Sequence, residues 1–157
     1  MRIGLGYDVH AFAEGRRLVL GGVEIAHERG LLGHSDADVL AHALADAVLG
    51  ALREGDIGKL FPDTDPAYRD ADSLELLSAV GALARKRGWR VADADCVLAL
   101  ERPKIAQYRE SMRENLARAL GIPVDAIGVK ATTTEGLGFE GREEGVSARA
   151  VVLLEPL

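Results

Sequence analysis

The sequence predicts an α/β (α+β) fold in which a single sheet carries three helices on one face. Three stretches with apolar residues at helical spacing alternate with short apolar runs typical of strands. Each helical stretch has one apolar stripe, so each helix can bury only one side. The chain has 157 residues, 48% of them apolar, and we expect residues 1–157 to form one domain.

The first strand and a hairpin are predicted from the alternation and glycines of the N-terminal part. Residues 2–8 are typical of a strand. Residues 17–25 are typical of a hairpin, because Gly21 and Gly22 can supply the positive φ angles of its turn.

The first helix follows a polar segment. Ser35 is expected to cap this helix, with Asp38 three residues later as its capping-box partner. The apolar stripe runs over 39–48, and we expect the helix to end near Gly55.

A long loop precedes the second helix. Residues 56–72 are dense in Asp, Gly and Pro, and a loop of this length is usually functional. The second helix is predicted over 73–87 with its stop at Gly88, and a strand over 89–100.

The remaining elements are a third helix and two strands. The third helix is predicted over 103–120, with Gly121 as its terminator. Strands are predicted over 127–131 and 146–155, with a glycine-rich stretch between them.

The second face of the predicted sheet has no cover within the chain. We expect Val151, Leu153, Val91 and Val97 to lie on this face. Burying it requires another subunit, which predicts a homo-oligomer.

Charge and cysteine content restrict the partners. The net charge of −6 and the lack of a basic stripe argue against a nucleic-acid partner, and no apolar run is long enough for a membrane span. The N-terminal residues do not resemble a secretory signal. Cys96 is the single cysteine and is expected in the core, so we expect a cytoplasmic protein.

Two short motifs form a candidate metal site. Asp8 and His10 point to the same face of an extended segment, and His42 lies on the first helix. Two imidazoles and a carboxylate leave one tetrahedral position open, as in catalytic zinc sites. Asp38 or Asp46 could orient the His42 ring from the same helix face. The alternative is that His10 and His42 are ordinary polar residues and that Asp8 forms a turn at the end of the strand.

Three further segments are candidates for phosphate binding. His34 and Ser35 precede a predicted helix, whose N-terminal N–H groups can bind an anion. Lys104 is predicted to open another helix. The stretch 132–135 offers three hydroxyls and a carboxylate, a combination that suits phosphate and magnesium. Plain helix capping and solvated charges are the alternatives for the same residues.

Five ordered motifs together resemble one enzyme family. GYDVHAF, LGHSDADVLAHALADAVLGA, GDIGKLFPDTDP, ERPKI and VKATTTEGLGFEGREEG resemble 2-C-methyl-D-erythritol 2,4-cyclodiphosphate synthases of the non-mevalonate isoprenoid pathway. The resemblance runs from Arg2 to about Leu154. It implies a homotrimer of α/β subunits with active sites at the subunit interfaces.

The resemblance also implies roles for individual residues. Zinc would be held by Asp8, His10 and His42, magnesium would bind at Glu135, and His34 and Thr133 would be catalytic. Asp8 and His10 would also contact substrate. Further implied substrate contacts surround the erythritol phosphate, namely His34 and Ser35, and form the loop around the methylerythritol portion, namely Asp56, Ile57, Gly58, Phe61, Pro62, Asp63, Thr64 and Asp65. The implied cytidine pocket consists of Leu100, Glu101, Arg102, Pro103, Lys104, Ile105 and Ala106. The implied contacts near the leaving group are Thr132, Thr133, Thr134 and Glu135, and Phe139 and Arg142 are further ligand contacts.

The implied reaction is the cyclisation of 4-diphosphocytidyl-2-C-methyl-D-erythritol 2-phosphate with release of CMP, which makes the enzyme a phosphorus-oxygen lyase. Two other hypotheses about the function remain open. One is a zinc phosphoesterase that uses metal-bound hydroxide. The other is a trimeric module that binds a metal or a nucleotide without catalysis.

Overall fold

Seven strands and five α-helices form the fold in the computed structural model, which describes residues 1–157. The strands are β1 Arg2–Ala13, β2 Leu18–Leu20, β3 Val23–Ile25, β4 Gly30–Leu31, β5 Trp89–Ala99, β6 Ile127–Thr132 and β7 Gly145–Pro156. The helices are α1 Val39–Leu52, α2 Ile57–Leu60, α3 Ser73–Lys86, α4 Arg109–Leu120 and α5 Gly138–Gly141.

The main sheet has five strands in the order β4-β1-β7-β5-β6, and β2 and β3 form a separate hairpin. Strand β7 is antiparallel to both β1 and β5, while β5 and β6 are parallel. The carboxyl ends of β1, β5 and β6 therefore share one edge of the sheet. At this edge Val9, Ser147, Ala99 and Thr132 lie side by side across four strands.

The long helices cover one face of the sheet. Helix α1 packs on β1 and β7, α3 packs on α1 and β5, and α4 packs on α3 and β6. Met112, Leu116 and Leu120 of the predicted α4 stripe are almost completely buried, and Cys96 is 1% exposed on β5. The mixed α/β fold with a main sheet and several helices is thus confirmed. None of the helices has both the length and the apolar composition that a membrane crossing requires.

The opposite face of the sheet is apolar and exposed. Ile3, Leu5, Tyr7 and Val9 of β1 lie on it with exposed fractions of 42–69%, beside Val151 and Leu153 of β7. Val151 and Leu153 were predicted there. Val91 was predicted there wrongly, because a bulge between Val91 and Asp93 reverses the alternation of β5 and turns Val91 into the core, where it is 5% exposed.

The start of α1 differs from the prediction. Asp38, not Ser35, is the N-cap, and its carboxylate accepts the Ala41 N–H at 3.1 Å. The same carboxylate accepts the N–H groups of Gly21 (2.9 Å) and Gly22 (2.7 Å), so it joins α1 to the β2–β3 turn. The cap of α1 is therefore three residues after Ser35, and Ser35 lies in the segment that precedes the helix.

Two further segments differ from the prediction. The third long helix begins at Arg109, and Pro103–Ile105 is a loop anchored by the buried Ile105, so Lys104 does not open a helix. The loop 56–72 contains the short helix α2, capped by Asp56, and a 3₁₀ turn at Pro66–Tyr68, capped by Asp65. These carboxylates satisfy backbone N–H groups at the starts of the two turns.

Candidate metal centre and two neighbouring clefts

Asp8, His10 and His42 converge on one point at the end of β1. Asp8 Oδ2 lies 2.9 Å from His10 Nε2 and 3.1 Å from His42 Nδ1, and the two ring nitrogens are 3.2 Å apart. Asp8 and His10 lie on the same side of β1 as Gly4 and Gly6, which face α1, and His42 lies in the first turn of α1. The sequence spacing therefore predicted this convergence correctly.

The separations between these atoms fit a tetrahedral ion. A zinc ion with bonds of about 2.0–2.1 Å holds neighbouring ligand atoms about 3.3 Å apart, close to the three distances observed. The three ligand atoms all lie within 4.8 Å of one another, and all three residues are half-buried. Asp8, His10 and His42 can thus hold a divalent metal ion with one position left for another ligand.

The ring of His10 is oriented by the backbone. Its Nδ1 donates to the Leu32 carbonyl oxygen at 2.8 Å, and Leu32 follows β4, which pairs with the end of β1. Because the proton is held on Nδ1, Nε2 presents its lone pair to Asp8 and His42.

His42 is oriented by two serines. Its Nε2 lies 2.7 Å from Ser73 Oγ and 3.2 Å from Ser35 Oγ. The expectation that Asp38 or Asp46 orients this ring is wrong, because the carboxylate of Asp38 serves the α1 cap and the hairpin turn, and that of Asp46 accepts the Ile57 N–H at 2.7 Å. Ser73 is distant in sequence, and no pattern around it pointed to this contact.

The charges of the site favour a bound cation. Burial raises the pKa of Asp8, but hydrogen bonds and positive charge from His10 and His42 outweigh it and lower that pKa to about 2. Burial lowers the pKa of His10, whereas the hydrogen bond and charge of Asp8 raise it, with a net upward shift. The point between these residues therefore stabilises positive charge, either as a proton or as a metal ion.

A cleft of about 340 Å³ opens beside the metal centre. Its lining residues come from the metal centre, from the segment before α1, from the loop 56–72 and from α3: His10, Gly33, His34, Ser35, His42, Ile57, Gly58, Phe61, Asp63, Tyr68 and Leu76. The structure thus brings the predicted loop residues Ile57, Gly58, Phe61 and Asp63 to the candidate metal site. Tyr68, whose ring packs on Phe61, is a lining residue that the sequence analysis missed.

The other predicted residues of this region have different positions. His34 Nε2 lies 3.2 Å from the Asp65 carbonyl oxygen, so His34 joins the loop to the segment before α1. The side chains of Asp56 and Asp65 accept backbone N–H groups, both at 2.9 Å. Pro62 and Thr64 are exposed at the loop surface.

A second cleft of about 290 Å³ lies at the ends of β5 and β6. It is lined by Leu100, Pro103, Lys104, Ile105, Ala106, Arg109, Lys130, Ala131, Thr132 and Thr133. Most of the predicted cytidine-pocket residues and two of the predicted leaving-group residues therefore share one cleft. Arg109 is a cationic lining residue that the sequence analysis missed, and Lys130 is paired with Asp95.

Glu101 organises the turn that follows β6. Its carboxylate accepts the backbone N–H of Thr134 at 2.9 Å and lies 3.3 Å from both the Thr134 hydroxyl and the Gly136 N–H. The hydrogen bond from the Thr134 N–H contributes most to lowering the pKa of Glu101, and the other two hydrogen bonds lower this pKa further. The turn places the Glu135 carboxylate 3.4 Å from the Thr133 hydroxyl.

The remaining predicted contacts do not line this second cleft. Arg102 forms a bidentate ion pair with Glu143, in which Nε donates to Oε1 at 2.6 Å and Nη2 donates to Oε2 at 2.9 Å. Arg142 pairs with Glu144 at 2.7 Å, and Phe139 is half-buried in α5. Within one chain, neither Phe139 nor Arg142 lines the cleft beside the metal centre.

Comparisons with known proteins agree with one another over the full chain. Residues 1–155 match the model of the YgbB family. The chain is 62% identical over 155 residues to "2-C-methyl-D-erythritol 2,4-cyclodiphosphate synthase" of Geotalea uraniireducens, covering 99% of each chain.

Solved structures give the same result. A CDP-bound 2C-methyl-D-erythritol-2,4-cyclodiphosphate synthase superposes with a TM-score of 0.89 at 45% identity, over 98% of this chain and 100% of that one. The bifunctional IspDF of Campylobacter jejuni superposes with a TM-score of 0.95 at 44% identity, and the present chain spans 42% of that longer chain. With a match over nearly every residue and the Asp8, His10 and His42 cluster in place, the chain belongs to the YgbB family.

Proposed function

We propose that this chain is a 2-C-methyl-D-erythritol 2,4-cyclodiphosphate synthase. In this reaction an oxygen of the substrate's 2-phosphate attacks the β-phosphorus of 4-diphosphocytidyl-2-C-methyl-D-erythritol 2-phosphate. A new phosphorus–oxygen bond closes the ring, and the bond from the β-phosphorus to the oxygen bridging the two diphosphate phosphorus atoms breaks, so that CMP leaves. The substrate supplies its own nucleophile, and the enzyme belongs to the phosphorus-oxygen lyases.

The observation that carries the proposal is the metal-type cluster opening into a cleft lined by the loop 56–72. A zinc-type site of Asp8, His10 and His42 suits a phosphate oxygen as fourth ligand. The full-length similarity to relatives named for this synthase supports the same substrate.

We assign different residues to the two metal ions and to the charge of the reacting phosphates. We assign zinc to Asp8, His10 and His42, and magnesium to Glu135 together with the substrate diphosphate. When bound, these ions supply positive charge that polarises the attacked phosphate and stabilises the leaving one. We assign to His34 and Thr133 hydrogen bonds that stabilise the negative charge of the transition state. Catalysis of phosphoryl transfer depends chiefly on positioning the substrate and stabilising this charge.

The two clefts suit the two ends of the substrate. The cleft beside His34, Ser35 and the loop 56–72 suits the methylerythritol phosphate, which must fold back so that its 2-phosphate meets the diphosphate. The cleft with Lys104 and Arg109 suits the cytidine and its anionic phosphates, although the chain has a net charge of −6.

Assembly completes the proposal. The exposed apolar face of the sheet supports a homotrimer of one-domain subunits, with a small-molecule substrate bound at each subunit interface. We place the enzyme in the cytoplasm, where the unpaired thiol of Cys96 is stable.

A turnover assay on metal-loaded protein tests this proposal. We expect CMP and cyclic diphosphate from wild type, and no CMP after chelation or in His42→Ala, which should also lose its bound zinc. His27→Ala is the matched control, since His27 packs on Phe12 and is not one of the three residues of the cluster, so this variant should keep full activity. CMP release by a metal-free His42→Ala protein would refute the proposal, and solvent oxygen in the product would indicate a zinc phosphoesterase instead.

A further inference from the structure

We propose that Asp36 and Ser73 are positioning residues that hold the proton of His42 on Nε2 and so reserve Nδ1 for a metal ion. This inference rests on the proposed metal site and goes beyond its three ligands. It assigns a role to two residues that lie 37 positions apart in the chain and do not touch the cluster point itself.

The position of the proton on His42 determines which ring nitrogen is available to a metal ion. A neutral imidazole carries its proton on one nitrogen, and only the other nitrogen can bind a metal ion. Nδ1 of His42 faces Asp8 Oδ2 at 3.1 Å, and this carboxylate attracts the proton to Nδ1. Left to Asp8 alone, His42 would therefore present the wrong nitrogen to the ion.

An opposing contact lies at the other end of the ring. Ser73 Oγ lies 2.7 Å from His42 Nε2, closer than Asp8 lies to Nδ1. A hydroxyl can donate or accept, so this contact favours a proton on Nε2 only if Ser73 is made to accept.

Asp36 supplies that constraint. The Ser73 hydroxyl donates to Asp36 Oδ1, and the Ser73 backbone N–H donates to Asp36 Oδ2 at 3.1 Å. An ionised carboxylate only accepts, so the hydroxyl proton of Ser73 goes to Asp36 and its lone pair faces His42. The direction of the Ser73 branch is thereby set from Asp36 to the metal position, and the second hydroxyl at Nε2, Ser35 Oγ, lies farther away at 3.2 Å and accepts the Ala37 N–H.

Both residues are held by the backbone. Ser73 is the first residue of α3 and is 1% exposed. The segment before α1 is joined to the end of the loop 56–72 by Asp70 N–H to His34 O (2.9 Å) and Asp36 N–H to Ala71 O (3.1 Å). These contacts keep Asp36 beside Ser73 independently of any ligand.

Spectroscopy of the metal-free protein tests the proton position directly. Proton–nitrogen correlation of the imidazoles at a pH where the rings are neutral should place the His42 proton on Nε2 in wild type. In Asp36→Asn the side-chain amide can donate to Ser73, whose hydroxyl can then donate to His42 and move the proton to Nδ1. Ser73→Ala should produce the same change by removing the acceptor.

Zinc affinity provides the second measurement. Competition between the protein and a chromogenic chelator for zinc alone should show binding about 10–100-fold weaker in Asp36→Asn and Ser73→Ala. Asp72→Asn is the matched control, because it removes an equal charge one residue before Ser73, where the carboxylate caps α3 through Leu74 N–H at 2.8 Å. This control should keep both the wild-type proton position and the wild-type affinity.

The outcomes separate this inference from the metal site itself. An unchanged His42 proton position in both Asp36→Asn and Ser73→Ala would overturn the inference, as would unchanged zinc affinity. Failure of wild type to bind zinc would instead overturn the proposed metal site, while the spectra of the metal-free protein would still decide the role of Asp36 and Ser73. Asn for Asp and Ala for Ser are close in shape, and thermal unfolding of each variant verifies that the fold is retained.

Discussion

At the scale of single residues, His10 combines two interactions that act on opposite sides of its ring. Its Nδ1 proton is held by the Leu32 carbonyl, whereas Nε2 faces the Asp8 carboxylate at 2.9 Å. Burial lowers the pKa of His10, but the hydrogen bond and charge of Asp8 raise it more, so the net shift is upward. A metal ion must therefore displace a proton that His10 binds more tightly than an isolated imidazole does.

This competition predicts the pH dependence of metal binding. As pH falls through the raised pKa of His10, the ring gains a proton and the metal loses a ligand, so affinity should fall by about tenfold per pH unit for each displaced proton. The decline should begin above the ordinary imidazole value of about 6.5. Zinc competition with a chelator, corrected for the chelator's own protonation, measures it; equal affinity at pH 8 and pH 6 would contradict the assignment of His10 as a ligand.

The sequence predicted some of these residues and missed others for physical reasons. Asp8 and His10 follow from strand alternation, which is a local property. Asp38 as the true cap could not be told from Ser35, because the choice depends on the Gly21 and Gly22 N–H groups, which only the folded hairpin brings near. Ser73 contacts His42 across 31 residues, and nothing local encodes that contact.

At the scale of elements, the metal centre depends on how closely α1 approaches β1. Gly4 and Gly6 of β1 face the helix, and a Cβ at either position would overlap the carbonyl oxygen of Ala47 or Ala43. Two glycines on alternate strand positions thus allow the helix backbone to lie directly on the strand. This approach brings His42 to Asp8 and His10.

Gly6→Ala should consequently damage both stability and metal binding. The added methyl meets backbone, which cannot move aside without shifting α1, and overpacking of this kind costs about 1–3 kcal/mol. The shift carries His42 away from Asp8, so zinc affinity should fall along with the melting temperature. Denaturant unfolding and zinc titration of the same samples measure the two effects.

Gly50→Ala is the matched control on the same helix. A Cβ at Gly50 comes no closer than 3.9 Å to its nearest neighbour, Leu5 O, so nothing opposes the change. Alanine in place of a helical glycine should stabilise the protein by about 0.5–1 kcal/mol and leave zinc affinity unchanged. A loss of stability in Gly50→Ala equal to that in Gly6→Ala would contradict the role given to the close contact at β1.

The elements differ in how strongly local sequence determines them. Helices α1 and α3, the end of α4 and the strands β5, β6 and β7 were predicted to within about three residues, since their periodicity is strong, whereas α4 begins six residues later than predicted. The side to which Val91 points was predicted wrongly, because a bulge inserts one residue and reverses the alternation without any signal in composition.

At the scale of the whole molecule, the exposed face of the sheet predicts an assembly. Six large apolar side chains of β1 and β7 lie on this face, among them Leu5 with 69% of its surface exposed. A continuous apolar surface of this kind marks an interface more often than free surface.

Leu5→Asp should break the proposed trimer. A charge in the centre of a buried interface is costly, so light scattering should show a mass near 16.7 kDa instead of about three times that value. Val124→Asp is the control, since Val124 is also exposed but lies after α4 on the helical side. A trimer that tolerates Leu5→Asp unchanged would place its interface elsewhere.

The two clefts are separated within one chain. Val9, one position from each strand ligand of the metal centre, and Thr132 lie three strand spacings apart across the sheet, which corresponds to about 14 Å. His34 lines one cleft and Thr133 lines the other. A substrate that needs both must either bridge the clefts of one chain or use the clefts of two neighbouring subunits.

Mixed assemblies distinguish these arrangements. His42→Ala and Thr133→Ala subunits should each be inactive alone, because each lacks a group in one cleft. If every site combines the metal cleft of one subunit with the second cleft of its neighbour, random mixing in a ring leaves about one site in four with both clefts intact, and CMP release should recover to that fraction. If each subunit uses its own two clefts, no mixed assembly contains an intact site and activity stays at the level of the single variants. Differently tagged copies of His42→Ala, mixed in the same way, verify subunit exchange without any recovery of activity.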